Sequence, residues 1–362
     1  MLHKQLEKLN LPDLLRFSDG KKIAGKEQWA ERREEIKKII CAEEYGFLPS
    51  APISVRWETV KTDTSFCAGK ADLSTVSITV EVENGEFSFP INCVIPKTKR
   101  PCPAFLHINF RDLVPDRYMP SEEICDNGFA AVSFCYNDVT SDDSDFSDGL
   151  AGVIYKNTER TADSPGKIAL WAWAAMRVMD YMRTLDCIDK KNIAVVGHSR
   201  LGKTALLAGA LDERFAFTIS NDSGCSGAAV SRGKIGEKIK DICNAFPYWF
   251  CENYKKYIDR EETLPFDQHF LLSLIAPRKL YAASAEEDSW ADPKSEFLSC
   301  AAAGKVYEFL GEKGFVCPDK FPLTNESLHD GSIGYHVREG QHYLSRYDWL
   351  RFIEYIDRHR YQ

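Results

Sequence analysis

A chain of 362 residues, 44% hydrophobic and 28% charged, has the composition of a folded globular protein and the length for one elaborated α/β domain. Its net charge of −8, with no basic stretch that alternates with aromatics, argues against nucleic acid as a partner. No window approaches the roughly 18 uninterrupted apolar residues that a membrane helix needs, so no membrane partner is expected.

The opening residues, MLHKQLEKLNLPDLL, are interrupted by charges and lack the apolar region and small-residue cleavage site of a secretory signal. The twelve cysteines include no C-x-x-C pair, and several, such as Cys93, Cys135 and Cys251, lie in apolar runs. They are expected to be buried free thiols in a reducing compartment. This points to a cytoplasmic protein. Paired zinc-ligand spacing is absent, and no metal is expected.

In chain order, residues 1–50 read as a helical lead-in, with helical apolar spacing over 29–42 that ends near Gly46 and Pro49. Residues 51–100 read as an antiparallel β start. Stretches 53–60, 75–82 and 87–95 alternate apolar with polar residues, and Asn84-Gly85 is a hairpin turn signal. Residues 101–362 read as the catalytic core of the same domain. Buried strands are expected over 104–108, 130–134, 193–196, 216–220 and 280–284, with a long helix over 166–185 and further helices between the later strands. This βαβα order predicts a mostly parallel central sheet with helices on both faces, a three-layer sandwich. The acidic segment 138–148 (DVTSDDSDFSD) does not have EF-hand spacing and is expected to be a solvated surface loop.

The strongest local signal is NIAVVGHSRLGKTALLAGAL, residues 192–211. A buried strand runs into a glycine-flanked turn and then a helix, the arrangement of the nucleophile elbow in the α/β-hydrolase fold, which makes Ser199 the candidate nucleophile. The usual G-x-S-x-G is altered. Gly197 stands two before the serine, but Leu201 takes the place of the second glycine and Gly202 follows one position late. The plainer alternative is that Ser199 caps the helix. Arg200 follows the serine, so its N–H, and also its guanidinium, are placed to act as oxyanion donors. Lys203 lies four residues on, at the same face of the helix start.

In hydrolases of this class the acid and the histidine follow the serine. His342, just before a final helix expected over 345–359, is the candidate base, with His336 as runner-up. The acid has two candidates. Asp222 follows the strand at 216–220, and Asp288 follows the strand at 280–284.

Together the motifs resemble the glucuronoyl esterases, carbohydrate esterases that cleave esters of glucuronic acid on xylan. The resemblance runs from about Trp29 to the C-terminus. It rests on GHSRLGK (197–203), NDSGCSGAA (221–229), YWFCENYKKY (248–257), LPFDQHFL (264–271), APRKL (276–280), the Trp290 region and GQH (340–342). It implies Ser199 as nucleophile, His342 as base and Arg200 as oxyanion contributor. It also implies Lys203, Trp249 and Trp290 as substrate contacts, and Asp222 as the acid, with Asp in place of the family's Glu. On that ground Asp222 is preferred to Asp288. The chain departs from the family pattern in two further places. His198 replaces a cysteine that is disulfide-bonded in the fungal enzymes, and no glutamate precedes Trp249 in AFPY.

The expectation is therefore ester hydrolysis through an acyl-enzyme, without metal or organic cofactor, on a small-molecule or oligosaccharide ester. The oxyanion would rest on the Arg200 N–H, its side chain and an N–H from the loop at 109–113. Acetyl esters are the alternative substrate, as in an acetylxylan esterase, and a non-catalytic sugar-binding homologue is the rival of another class. The oligomeric state is not set by the sequence.

Overall fold

In the computed structural model, which describes residues 2–360, ten strands among the described residues form one sheet. They are β1 (Ser54–Asp63), β2 (Ala71–Val82), β3 (Gly85–Pro96), β4 (Cys102–Asn109), β5 (Ala130–Cys135), β6 (Ile188–His198), β7 (Phe217–Asn221), β8 (Lys279–Ala285), β9 (Ser327–Leu328) and β10 (Ile333–Arg338). Their spatial order is β1-β2-β3-β5-β4-β6-β7-β8-β10-β9. β1, β2 and β3 pair antiparallel, and β3 meets β5 antiparallel. From β5 across to β10 every neighbour is parallel. β2 and β3 are joined at the expected hairpin, where Val82 faces Gly85 across a two-residue loop and Gly85 has φ +142°.

The parallel strands read as near-continuous apolar runs because both of their faces are covered. β4, β5 and β7 are buried along their whole length. Alternation sorts their side chains into two cores. Ala104, Leu106, Ile108, Ile193 and Val195 enter one core, under the helices Lys167–Met182, Arg200–Leu211 and Pro293–Leu310. Phe105, Ala194, Val196 and Ile219 enter the other, under the helix Arg346–His359 with its Trp349 and Phe352. The result is the α/β-hydrolase sandwich of three layers.

Three features depart from the sequence reading. The lead-in helix Trp29–Ile40 runs on into a π turn over Cys41–Tyr45. The helix Pro293–Leu310, among the longest in the fold, was not foreseen. The stretch that holds His336 is a strand, β10, whose Ile333, Tyr335 and Val337 face the core. All twelve cysteines are unpaired, and nine of them are buried. Among the described residues no helix is long and apolar enough to cross a membrane.

The sheet's parallel part decides where the site lies. Ser199, Asp222, Asp288 and His342 follow the C-terminal ends of β6, β7, β8 and β10, which are successive neighbours in the sheet. Ligand sites of open α/β sheets form at that edge.

Candidate active site

Ser199 joins β6 to the helix Arg200–Leu211 with φ 58° and ψ −127°. A non-glycine residue held at positive φ stores strain, and such residues concentrate at functional positions. Its neighbours must be small for the turn to close. A Cβ on Gly197 would lie 2.0 Å from the Leu201 carbonyl oxygen, and one on Gly202 would lie 3.0 Å from Ser220 Oγ and Ser223 Cβ. This explains the late glycine: Leu201 turns into the core, fully buried, and the close approach to the neighbouring strand falls on Gly202. Ser199 donates its N–H to the Asn221 carbonyl at 2.8 Å, and its hydroxyl makes no capping bond to the helix. The capping alternative is thus not what the structure shows.

His342 lies on the loop between β10 and the last helix, and its Nδ1 stands 2.6 Å from Asp288 Oδ2. With Nδ1 engaged by a carboxylate, Nε2 is the nitrogen left to exchange a proton with a serine hydroxyl. Asp288 is buried and also accepts the Ala291 N–H at 3.1 Å. Burial alone pushes its carboxyl up. The hydrogen bond and charge of His342 and the Ala291 N–H outweigh that and hold it below the usual carboxylate range.

The preference for Asp222 as acid is corrected here. Asp222 follows β7 at φ 45° and is fully buried, but its Oδ2 faces Arg338 Nη2 at 3.5 Å, and its Oδ1 has no protein partner. Burial, and then the nearby Glu296 and Asp348, push its carboxyl well above the ordinary value despite Arg338. A carboxyl whose surroundings disfavour its charged form is less suited than Asp288 to stabilise an imidazolium. Asp222, Asp288 and His342 do come together, with one polar atom from each within 4.8 Å of the others. The imidazole nevertheless bonds Asp288. The runner-up base, His336, is buried in β10 and bonded to Asp348 Oδ1 at 2.8 Å, away from the serine turn.

Ser199, Arg200, Lys203, Asp222, Asp288 and His342 line one cleft of about 320 Å3, together with Glu237, Phe246, Trp249 and Trp290. The Arg200 N–H opens a helix, where the first N–H groups have no intrahelical acceptor. Its guanidinium forms an ion pair with Asp142 and lies 4.6 Å from the Trp249 ring and 5.1 Å from that of Phe246. Trp249 is itself buried, stacked on Phe246 at 3.8 Å, and gives its indole N–H to Asp142 Oδ1 at 2.7 Å. It therefore offers the cleft a ring face and no donor. Lys203 is buried, bonded to the Ser223 carbonyl and 4.0 Å from Glu237 Oε2. Burial lowers its pKa against the pull of Glu237. Trp290, by contrast, is 56% exposed at the cleft mouth.

The loop at 109–113 does not supply the expected second oxyanion donor from Phe110, because that N–H is taken by the Asn109 side chain at 2.8 Å. The acidic segment is a loop exposed at residues 143–145 and 147, but it is anchored to the site on its inner side. Asp142 accepts from Arg200, Trp249 and Tyr136, and the buried Lys167 holds Thr140, Asp145 and Asp148.

Sequence reasoning passed over Asp142 and Glu237, whose partners are distant in the chain and carry no local motif. It also left His198 without a role. Its ring centroid lies 4.5 Å from that of His342, and its Nδ1 lies 2.6 Å from Asn221 Oδ1. Burial and the nearby His342 push its pKa down to about 3, so this neighbour is a neutral prop.

Known proteins resemble this chain in sequence and fold. The family described as "Glucuronyl esterase, fungi" matches residues 78–311, more than half of the chain. A carbohydrate esterase from an unknown prokaryotic organism is 35% identical, over 98% of this chain and 90% of its own length. A 4-O-methyl-glucuronoyl methylesterase of Podospora anserina is 31% identical over 83% of this chain, which spans 60% of that protein. The solved glucuronoyl esterase from Solibacter usitatus superposes with a TM-score of 0.89 at 33% identity, over 96% of this chain and 97% of its own. The sheet that delivers Ser199 and His342 to one cleft is thus that of a carboxylic ester hydrolase, and the chain belongs to the glucuronoyl esterase family of carbohydrate esterases.

Proposed function

We propose that the protein hydrolyses an ester of a 4-O-methyl-glucuronate-type uronic acid, with Ser199 as nucleophile, His342 as base and Asp288 as its orienting acid. The observation that carries this reading is the 2.6 Å contact between His342 Nδ1 and Asp288 in the same cleft as the strained Ser199. The imidazole takes the Ser199 proton as Oγ attacks the ester carbonyl, and the oxyanion forms against the Arg200 N–H at the helix start. The imidazole returns the proton to the leaving alcohol, and a water activated in the same way releases the acid.

The cleft's charges support a neutral, hydroxyl-rich ligand. Arg200 is matched by Asp142, and Lys203 by Glu237. The cations are thus already neutralised and present polar atoms to hydroxyl and carbonyl groups, without a net positive field for an anion. An ester fits this description, and the carboxylate released from it does not. The Podospora relative is a 4-O-methyl-glucuronoyl methylesterase, which supports the acid portion named here.

The test is hydrolysis of a benzyl or methyl glucuronate ester beside 4-nitrophenyl acetate and acetylated xylo-oligosaccharides. Turnover of the uronate ester is expected, reduced about 1,000-fold or more by Ser199→Ala. Turnover of acetyl esters alone would retain the serine chemistry and discard the uronate assignment.

A further inference from the structure

We propose that Arg338 is a positioning residue for His342, gripping the backbone on both sides of it so that the imidazole keeps its place between Asp288 and Ser199. The proposal rests on the reading of His342 as the base. Within the proposed triad His342 is the most exposed member: it sits on an irregular loop, and its side chain is 44% exposed. Arg338 is the last residue of β10 and is buried, with only 6% exposure. Its Nη2 donates to the carbonyls of Gln341, at 3.0 Å, and of Tyr343, the residues immediately before and after His342. Its Nη1 donates to the Glu339 carbonyl at 2.9 Å. One guanidinium therefore ties down three carbonyls of the seven-residue loop 339–345.

The guanidinium is in turn fixed. Its Nε donates to both oxygens of Asp348, at 3.2 and 2.9 Å, and Nη2 also faces Asp222 Oδ2 at 3.5 Å. Asp348 is buried and closes the capping box with Ser345 that starts the last helix. The grip thus links the end of β10 to the start of that helix, with His342 between them. The backbone adds a second link. The N–H groups of Glu286 and Glu287 donate to the carbonyls of Arg338, at 2.8 Å, and of Gly340, at 3.0 Å. The loop that carries Asp288 is thereby stitched to the loop that carries His342. A planar fork with five donors can satisfy three carbonyls and a carboxylate at once, and a lysine cannot.

The test uses the full chain with Arg338→Met and Arg338→Lys. Three quantities are read: kcat and KM on 4-nitrophenyl acetate, the rate at which a fluorophosphonate labels Ser199, and the melting curve. Misplacement of a reacting group by about 1 Å can cost on the order of 100-fold. Both variants are expected to lose about 10- to 100-fold in kcat, with KM within about threefold, and to be labelled more slowly by the same factor. Failure of lysine to restore the rate shows that the fork is required, not the charge. A folded Arg338→Met variant with kcat and labelling within about threefold of the parent would overturn the proposal. So would loss of cooperative melting in both variants, which would make Arg338 purely structural. A parent protein that neither labels nor turns over ester would instead overturn the hydrolase reading on which the proposal rests.

Discussion

Asp222 and Asp288 lie within 4.8 Å of the same imidazole, one atom to another, yet their surroundings drive them apart. Asp288 gains a hydrogen bond from His342 and is held below the usual range, whereas burial beside Glu296 and Asp348 pushes Asp222 up and disfavours its charged form. Two carboxyls with opposed shifts divide their roles: the one held down orients and stabilises the imidazolium, and the one pushed up packs against Arg338. Asp288→Asn is therefore expected to lower kcat by about 1,000-fold or more, because the amide favours the wrong imidazole tautomer. Asp222→Asn keeps the shape of a carboxyl that makes no bond to His342 and should cost less than about tenfold. Steady-state kinetics of the two variants decides this, and a larger loss from Asp222→Asn would return the acid role to Asp222. The family resemblance favours Asp222, because the motif around it has a fixed place in the chain, whereas the residues alone leave both acids open. The direction of a side chain at φ 45° is not legible there.

At the scale of elements, the strands and the serine turn were legible because their signals are local. The expected strands over 104–108, 130–134 and 280–284 lie within β4, β5 and β8, and the stretch 166–185 contains the helix Lys167–Met182. A buried parallel strand needs only a short apolar run, and the elbow needs only small residues at set distances. Long-range partners leave no such mark. The acidic segment 138–148 looks wholly solvated in sequence, but Lys167 and Trp249 reach it from other parts of the chain and anchor it behind the Arg200 and Trp249 side chains that line the cleft. Asp142 is the centre of that anchor, since it fixes both the Arg200 guanidinium and the Trp249 ring. Asp142→Asn keeps the acceptor for Trp249 but removes the charge opposite Arg200. It is expected to lower kcat about tenfold, equivalent to about 1.4 kcal/mol, with little change in Tm. An unchanged kcat would show that Arg200 needs no clamp to serve the oxyanion.

Across the whole molecule, the buried carboxyls give stability a pH dependence whose sign can be worked out. Glu44, on the π turn Cys41–Tyr45, is fully buried. Its Oε1 accepts from Gln268 Nε2 at 2.9 Å, while its Oε2 has no protein partner. Burial pushes its pKa up to about 8. Glu296, beneath the Asp222 turn, is bonded to Ser284 and to the Gly224 N–H, and burial pushes it up to about 7. In the unfolded chain both ionise near the ordinary value of about 4.3. Between that pH and the raised folded values the unfolded state binds fewer protons than the folded state, so the free energy of unfolding falls as pH rises. Below the window both states are protonated and the stability linked to these groups is fully present. It is lost progressively as pH climbs to about 7 for Glu296 and about 8 for Glu44. Within the window each group contributes a slope of about −1.4 kcal/mol per pH unit. Asp288 and Asp348, whose pKa values are held down, act in the opposite sense and favour folding as pH rises through the acid range. Glu44→Gln tests the argument with one atom exchanged and no titration left at that site. Its Tm relative to the parent is expected to rise steadily from pH 5 to about pH 8 and then level off, the advantage growing by about 1.4 kcal/mol per unit at most. A difference in Tm that is flat across that range would mean that Glu44 ionises in the folded protein as it does in the unfolded chain, and that water or a rearranged partner reaches the π turn.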